Sequence, residues 1–347
     1  MITNKKVEFN ISFMHAWWWK HYGMLWNTIE RWYTDIEYRI QQKMEMDRIL
    51  YERFGHLGLG NKDPKPSPEL AMGQNPVGEM YGVGYKYLDR EHQAPWPIPL
   101  NIDDEAAMAL RPIHDITQTA VVQDYLKQMA YLEEHYNWKW TNSSQNQGTS
   151  GVLNTVLDIR GQQIFIDIKQ KPELCRHVLS VITQTLANVL DWQVEIWGRR
   201  PAVLGIGNCS DSNISPLTYL DFVFPCDEWL VAKYVNLGIH RDDKLHLYID
   251  VYLRHPKLNA VDAGWDSSIA EIRKVLAAEK YHLNLRTDPL WLSRATPTEI
   301  IEQVNTWIEE AGKPLSQFAL ISEVDPSVPN VNIEALFEAV EEKEGKR

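Results

Sequence analysis

The chain has 347 residues, with 35 Lys and Arg against 47 Asp and Glu, a formal charge of −12. That length can bury a large core without disulfides or structural metal, and the acidic balance gives no general attraction to phosphate backbones, which argues against nucleic acid as a partner. Cys175, Cys209 and Cys226 are too few for a disulfide framework and suit a reducing, cytoplasmic setting. No apolar run reaches the roughly 18 residues of a membrane span, and the N-terminus lacks a signal-peptide apolar region. Fourteen Trp is roughly three times ordinary usage, most simply a large aromatic core.

In chain order, residues Val7–Met14 read as a first strand, followed by the three consecutive indoles Trp17, Trp18 and Trp19. Three neighbouring indoles cannot all enter one core, so at least one should line a cavity or contact surface, with His15 beside them as a ligand or base. Asn27–Phe54 reads as a long amphipathic helix ending at Gly55, and a glycine- and proline-rich loop runs past Pro64, Pro66 and Pro68. Val77–Arg90 suggests a hairpin, Asn142–Ser150 a polar loop, and Thr117–Tyr136 and Pro172–Trp192 helices.

The second half is more regular. Ala202–Ile206, Lys244–Ile249, Leu258–Val261, Tyr281–Leu285 and Phe318–Ile321 are strand candidates. Helical stretches follow at Pro216–Leu237, Ser268–Ala278, Pro297–Ala311 and Asn332–Glu342. Thr296 before Pro297, with Glu299 in the first turn, marks a helix start. Repeated strand, loop and helix predict parallel units. With no Gly-rich dinucleotide fingerprint and no linker, the expectation is one domain over residues 1–347, a (β/α)8 TIM barrel with N-terminal helical and hairpin elaborations.

Several segments resemble the uroporphyrinogen decarboxylase superfamily, and in particular its corrinoid-dependent methyltransferases. They are Asn213–Pro225 with its Ser-Pro and later Pro, Leu285–Pro289 with Ala295–Glu299, and the closing stretch Phe318–Ala335. Asp158-Ile-Arg-Gly161, Pro172–Leu174 and the Trp cluster with Tyr22-Gly23 fit the methyltransferase branch better than the decarboxylases. The resemblance implies methyl transfer between a small O-, N- or S-methyl substrate and a corrinoid carried by a partner protein. It also implies a zinc site built on a strand-end His-x-Cys and a later Cys. On the strand predicted at Lys244–Ile249, His246 matches the His and Tyr248 stands in place of the Cys; the later position falls near Glu323 and Asp325. The expected metal set is therefore His246, Glu323 and Asp325, with Tyr248 as an alternative acid.

The substrate would be met by His15, Trp17, Trp18, Trp19, Cys209 and Asp288. Aligned with the decarboxylases instead, Asp63 falls at the catalytic carboxylate, but the Arg-rich segment that grips substrate carboxylates is replaced by Phe13–Gly23, where Lys20, His15 and His21 are the cations. A decarboxylase of a tetrapyrrole-like or other carboxylated substrate is the second reading, and a barrel subunit without chemistry the third. A homodimer is compatible with each.

Overall fold

Seven short segments pair side by side into one parallel sheet in the computed structural model, which describes residues 6–66, 70, 72–87, 95–138 and 146–341. The strands are β1 (Glu8–Phe13), β2 (Asn146–Ser150), β3 (Val203–Gly207), β4 (Asn236–His240), β5 (Leu258–Ala263), β6 (His282–Arg286) and β7 (Phe318–Val324). Their spatial order is β1-β7-β6-β5-β4-β3-β2. The first strand thus lies against the last, Glu8 opposite Ala319 through Phe13 opposite Val324, as closing a barrel requires. The expected barrel-type α/β fold is present. Among the described residues the sheet is a half-barrel, open between β1 and β2.

Burial alternates along the strands, as the period of two demands. One face carries Leu204, Ile206, Leu237, Ile239, Leu283, Leu285 and Leu320 into the same core as helix residues such as Ile272, Val304 and Leu336. The other face is half-buried and polar, with His240, Asp262, Asn284, Arg286 and Glu323 near the strand ends. Register brings them together, Asp262 opposite Asn284 and Arg286 opposite Ile321. Helices fill the connections. Pro297–Ala311 starts as predicted, Thr296 and Glu299 exchanging hydrogen bonds with each other's backbone amides. No described helix is long and apolar enough to cross a membrane.

Several predicted elements differ. The strand expected at Lys244–Ile249 is a tight turn, Leu245–Leu247, followed by a helical turn, Ile249–Tyr252. Its buried residues Leu245, Tyr248, Ile249 and Tyr252 recur at helical spacing, which outweighs the alternation read from Leu-His-Leu-Tyr. The strand of that unit is β4, whose first residues the predicted helix from Pro216 had absorbed. The N-terminal helix is broken at Asp35, whose carboxylate caps Ile36–Phe54 by accepting from the Tyr38 amide at 3.0 Å. Part of the predicted Asn142–Ser150 loop is the edge strand β2, and residues 142–145 lie outside the described residues. Of the segment expected as a hairpin, Val77–Arg90, the start is the helix Pro76–Met80, and Gly84–Lys86 is a strand that pairs with Trp96–Ile98 beyond the predicted bounds; 88–94 between them also lie outside the described residues.

Candidate functional site

The site forms where β4 ends. Alternation continues into the turn His240-Arg241-Asp242-Asp243, so His240 and Asp242 face the polar side of the sheet while Arg241 turns into the protein. Gly264, after β5, allows the close packing of this turn: a Cβ there would meet the Asp242 carbonyl oxygen at 2.0 Å.

His240 is held at both ring nitrogens. Nδ1 lies 2.9 Å from Asp262 Oδ2, and Nε2 lies 3.1 Å from Asp242 Oδ1. Cys209, in the loop after β3, sets its Sγ 2.9 Å from Asp242 Oδ2. Asp262 is fixed by Asn284 Nδ2 at 2.5 Å and neighboured by Arg286, which donates to Glu323 Oε1 at 3.0 Å. Burial alone would lower the His240 pKa, but its bonds to Asp242, Asp262 and Cys209 override that and carry it up to about 11. The same imidazole draws Asp242 down to about 2. Asp262 also falls below the ordinary carboxylate range, its bonds to His240 and Asn284 outweighing burial.

Cys209, His240 and Asp242 are the described residues whose donor atoms could hold one metal ion, each atom within 4.8 Å of the others. Imidazole, carboxylate and thiolate suit zinc. A carboxylate on the far ring nitrogen, the part played by Asp262, is the usual brace of a metal-binding histidine.

A buried layer lies beneath. Tyr219 shares its hydroxyl with Asp227 at 2.9 Å and with His255 at 2.7 Å, and Asn208 donates to Asp227 at 2.7 Å. Arg241 packs its guanidinium 3.6 Å over the Tyr248 ring, pairs with Asp243 and donates to Tyr252.

The predicted site residues are dispersed differently. His246 accepts from the Ser268 amide at 3.3 Å and lies 3.9 Å from Glu271. It forms no cluster with Glu323, which takes Arg286, or with Asp325, which accepts from the Ser327 amide. That metal set is corrected: it followed from a strand that is not there, and the strand of that unit, β4, ends instead at His240, with Asp242 two residues on. Tyr248 is buried and its hydroxyl donates to the carbonyls of Asp211 and Ile214, so its proton is committed to the fold. Asp63 stands on an exposed loop, without the enclosed cationic surroundings that the decarboxylase reading requires.

Asp288 caps Pro289–Arg294 through the Leu290 amide at 2.8 Å. Trp17 and Trp18 are in the core, and Trp19 stacks on Trp26 at 4.5 Å. Trp19, Asp288 and Asp325 line one cleft of about 580 Å³. His15 lays its ring against Trp32 at 5.1 Å. Cys209 is the predicted residue that falls in the His240 cluster. The missed signal was Leu237-Gly-Ile239, a short alternating run ending at His240.

Solved structures resemble this one, among them the following two. A methyltransferase from Methanosarcina mazei superposes with a TM-score of 0.62 at 14% identity, over 97% of this chain and 92% of that chain. A B12-independent methionine synthase from Shewanella sp. W3-18-1, solved with selenomethionine, gives a TM-score of 0.42 at 10% identity, over 88% of this chain and 87% of that chain. The first likeness supports the fold. No curated protein matches the sequence. A family model described as uroporphyrinogen decarboxylase (URO-D) matches residues 159–343, over half of the chain and including β3 to β7, and so the chain belongs to the uroporphyrinogen decarboxylase family.

Proposed function

We propose that this chain is a corrinoid-linked methyltransferase of the demethylase type, moving a methyl group between a small O-, N- or S-methyl substrate and a corrinoid carried by a separate protein. The observation that carries the reading is the convergence of His240, Asp242 and Cys209 at the end of β4, braced by Asp262. Strand ends are where barrel enzymes place their chemistry.

The chemical difficulty is the leaving group. The methyl carbon departs to an acceptor electron pair while the heteroatom keeps the bonding pair; an oxygen or sulfur then carries a negative charge that must be neutralised, whereas an N-methyl cation leaves as a neutral amine. A zinc ion held by His240, Asp242 and Cys209 would supply Lewis acidity at that heteroatom. The protein's own groups prepare the same place. Asp262 fixes the imidazole plane, and Asn284 fixes Asp262. Without metal, His240 Nε2 holds a proton toward Asp242 and can deliver it to a heteroatom that replaces this carboxylate as its partner.

The test joins metal content to turnover. Free cob(I)alamin is offered methoxyaryl, methylamine and methylthio donors, and methylcobalamin is read by absorbance. The expected result is about one zinc per chain and methylcobalamin from one donor class, both lost in His240→Ala and Asp242→Ala variants that keep wild-type circular dichroism. Metal-free protein that transfers no methyl group from any class would overturn the proposal.

A further inference from the structure

Between the ends of the two rim strands lies a second cavity, of about 360 Å³, which the chemistry above does not use. Tyr33, which touches His15 just beyond β1, forms one wall. Its lining residues 72–74 also border a neighbouring cavity that reaches Gly148–Ser150 at the end of β2. The cavity therefore sits over the open seam of the half-barrel, on the same strand-end side as His240.

Its chemistry is one-sided. Tyr33, Tyr85 and Tyr87 supply aromatic faces, Tyr33 and Tyr87 with centroids 6.1 Å apart. Glu79 and Asp124 supply carboxylates; Asp124 is partly engaged, accepting from Gln128 at 2.8 Å. Among the described residues lining it there is no Lys, Arg or His. The chain also makes room for the Glu79 carboxylate. At Gly73, with φ +84°, a Cβ would fall 2.0 Å from Glu79 Oε1. Aromatic rings with nearby carboxylates are what binds an organic ammonium group.

We infer that this cavity is an aromatic cage for a methylated ammonium group, and that the substrate class of the enzyme is an N-methyl cation. The second half of that statement rests on the methyltransferase reading; the first does not. Two electrostatic facts agree. Burial, with Asp124 nearby, holds Glu79 up to about 7, as for a carboxyl group lacking its counter-charge. Burial raises Tyr33 to about 12 and Tyr85 further in the same direction, so both rings stay neutral phenols.

The test is calorimetric titration of the full chain with choline and with its neutral carbon isostere, in which a tert-butyl group replaces trimethylammonium. Choline should bind roughly tenfold or more tightly than the isostere. Glu79→Gln and Tyr85→Leu should each erase most of that preference and leave zinc content unchanged. Equal binding of the two probes, or no binding of choline to the wild type, overturns the cage whether or not the variants fold. Choline preference with no methyl transfer from any donor class keeps the cage and removes the methyltransferase reading. Methyl transfer from a methoxyaryl donor without choline preference does the reverse.

Discussion

Asp242 and Asp262, on the mouth side of the turn after β4, are both held below the ordinary carboxylate range, whereas Asp211 and Asp227, buried beneath that turn, are both pushed above it. Each pair has hydrogen-bond partners. The difference is what those partners can carry. The mouth carboxylates share an imidazole that accepts a positive charge. The floor carboxylates meet mainly neutral groups, Asp227 the Asn208 amide and the Tyr219 phenol and Asp211 the Tyr252 phenol, and each leaves its Oδ1 without a partner. Burial then dominates, reinforced for Asp211 by the Asp227 charge. The guanidinium of Arg241 is paired with Asp243 and reaches Asp211 by hydrogen bonding through Tyr252. A charged mouth and a floor with raised carboxyl groups thus share one segment of backbone.

The sharpest way to break this contrast is Arg241→Ala. The guanidinium is buried but its partner Asp243 is 40% exposed, so its loss should cost about 1.5–3 kcal/mol, the range for hydrogen bonds to a charged group, read as a fall in the urea midpoint. A cost under about 1 kcal/mol would show that the guanidinium does not anchor the turn. Next is Asp262→Asn, which keeps the shape and removes the charge behind His240. Zinc affinity should fall by about 10–100-fold while the melting temperature stays near wild type; unchanged affinity would separate Asp262 from the metal site.

Glu79 extends the comparison to a fifth carboxyl group. Burial raises its folded pKa to about 7 from the ordinary 4.5, so its stabilising contribution is complete below the unfolded pKa and is lost as pH rises through about 7. Discounted for solvent screening, Glu79→Gln should gain about 1 kcal/mol relative to wild type at pH 8 and nothing at pH 4. Equal stability of the two proteins at both pH values would contradict the shift. The smallest effect is expected of Asp211→Asn. Burial pushes the Asp211 carboxyl well above its ordinary range, so the change to an amide should cost little, within about 1 kcal/mol; a cost above about 3 kcal/mol would mean that the floor is ionised.

The parallel architecture was legible because β3, β5, β6 and β7 each combine an apolar alternating run with a following helix signal. The edge strand β2 was not. Its Asn-Gln-Gly-Thr-Ser sequence is polar, and its buried Gln147 is satisfied by Tyr234, Gln193 and the Leu190 carbonyl, which a sequence cannot announce. Taking Lys244–Ile249 as a strand displaced the site by six positions. His240 and Asp242 therefore drew no site reading. Cys209 remained visible because a polar loop between a strand and a helix marks the functional end of a barrel whichever neighbouring strand is chosen. The buried Asp211 and Asp227 gave no local signal: their neutral partners come from segments that meet only in the folded chain.

The alternation through His240-Arg241-Asp242-Asp243 also bears on how this family can vary. Lengthening or shortening the turn by one residue would exchange the sides on which its members emerge, sending an arginine to the mouth and an aspartate into the interior. Drift in loop length is therefore cheap over most of this surface and forbidden here. A homologue that keeps this arrangement can replace the second residue of the pair, but it must keep the count.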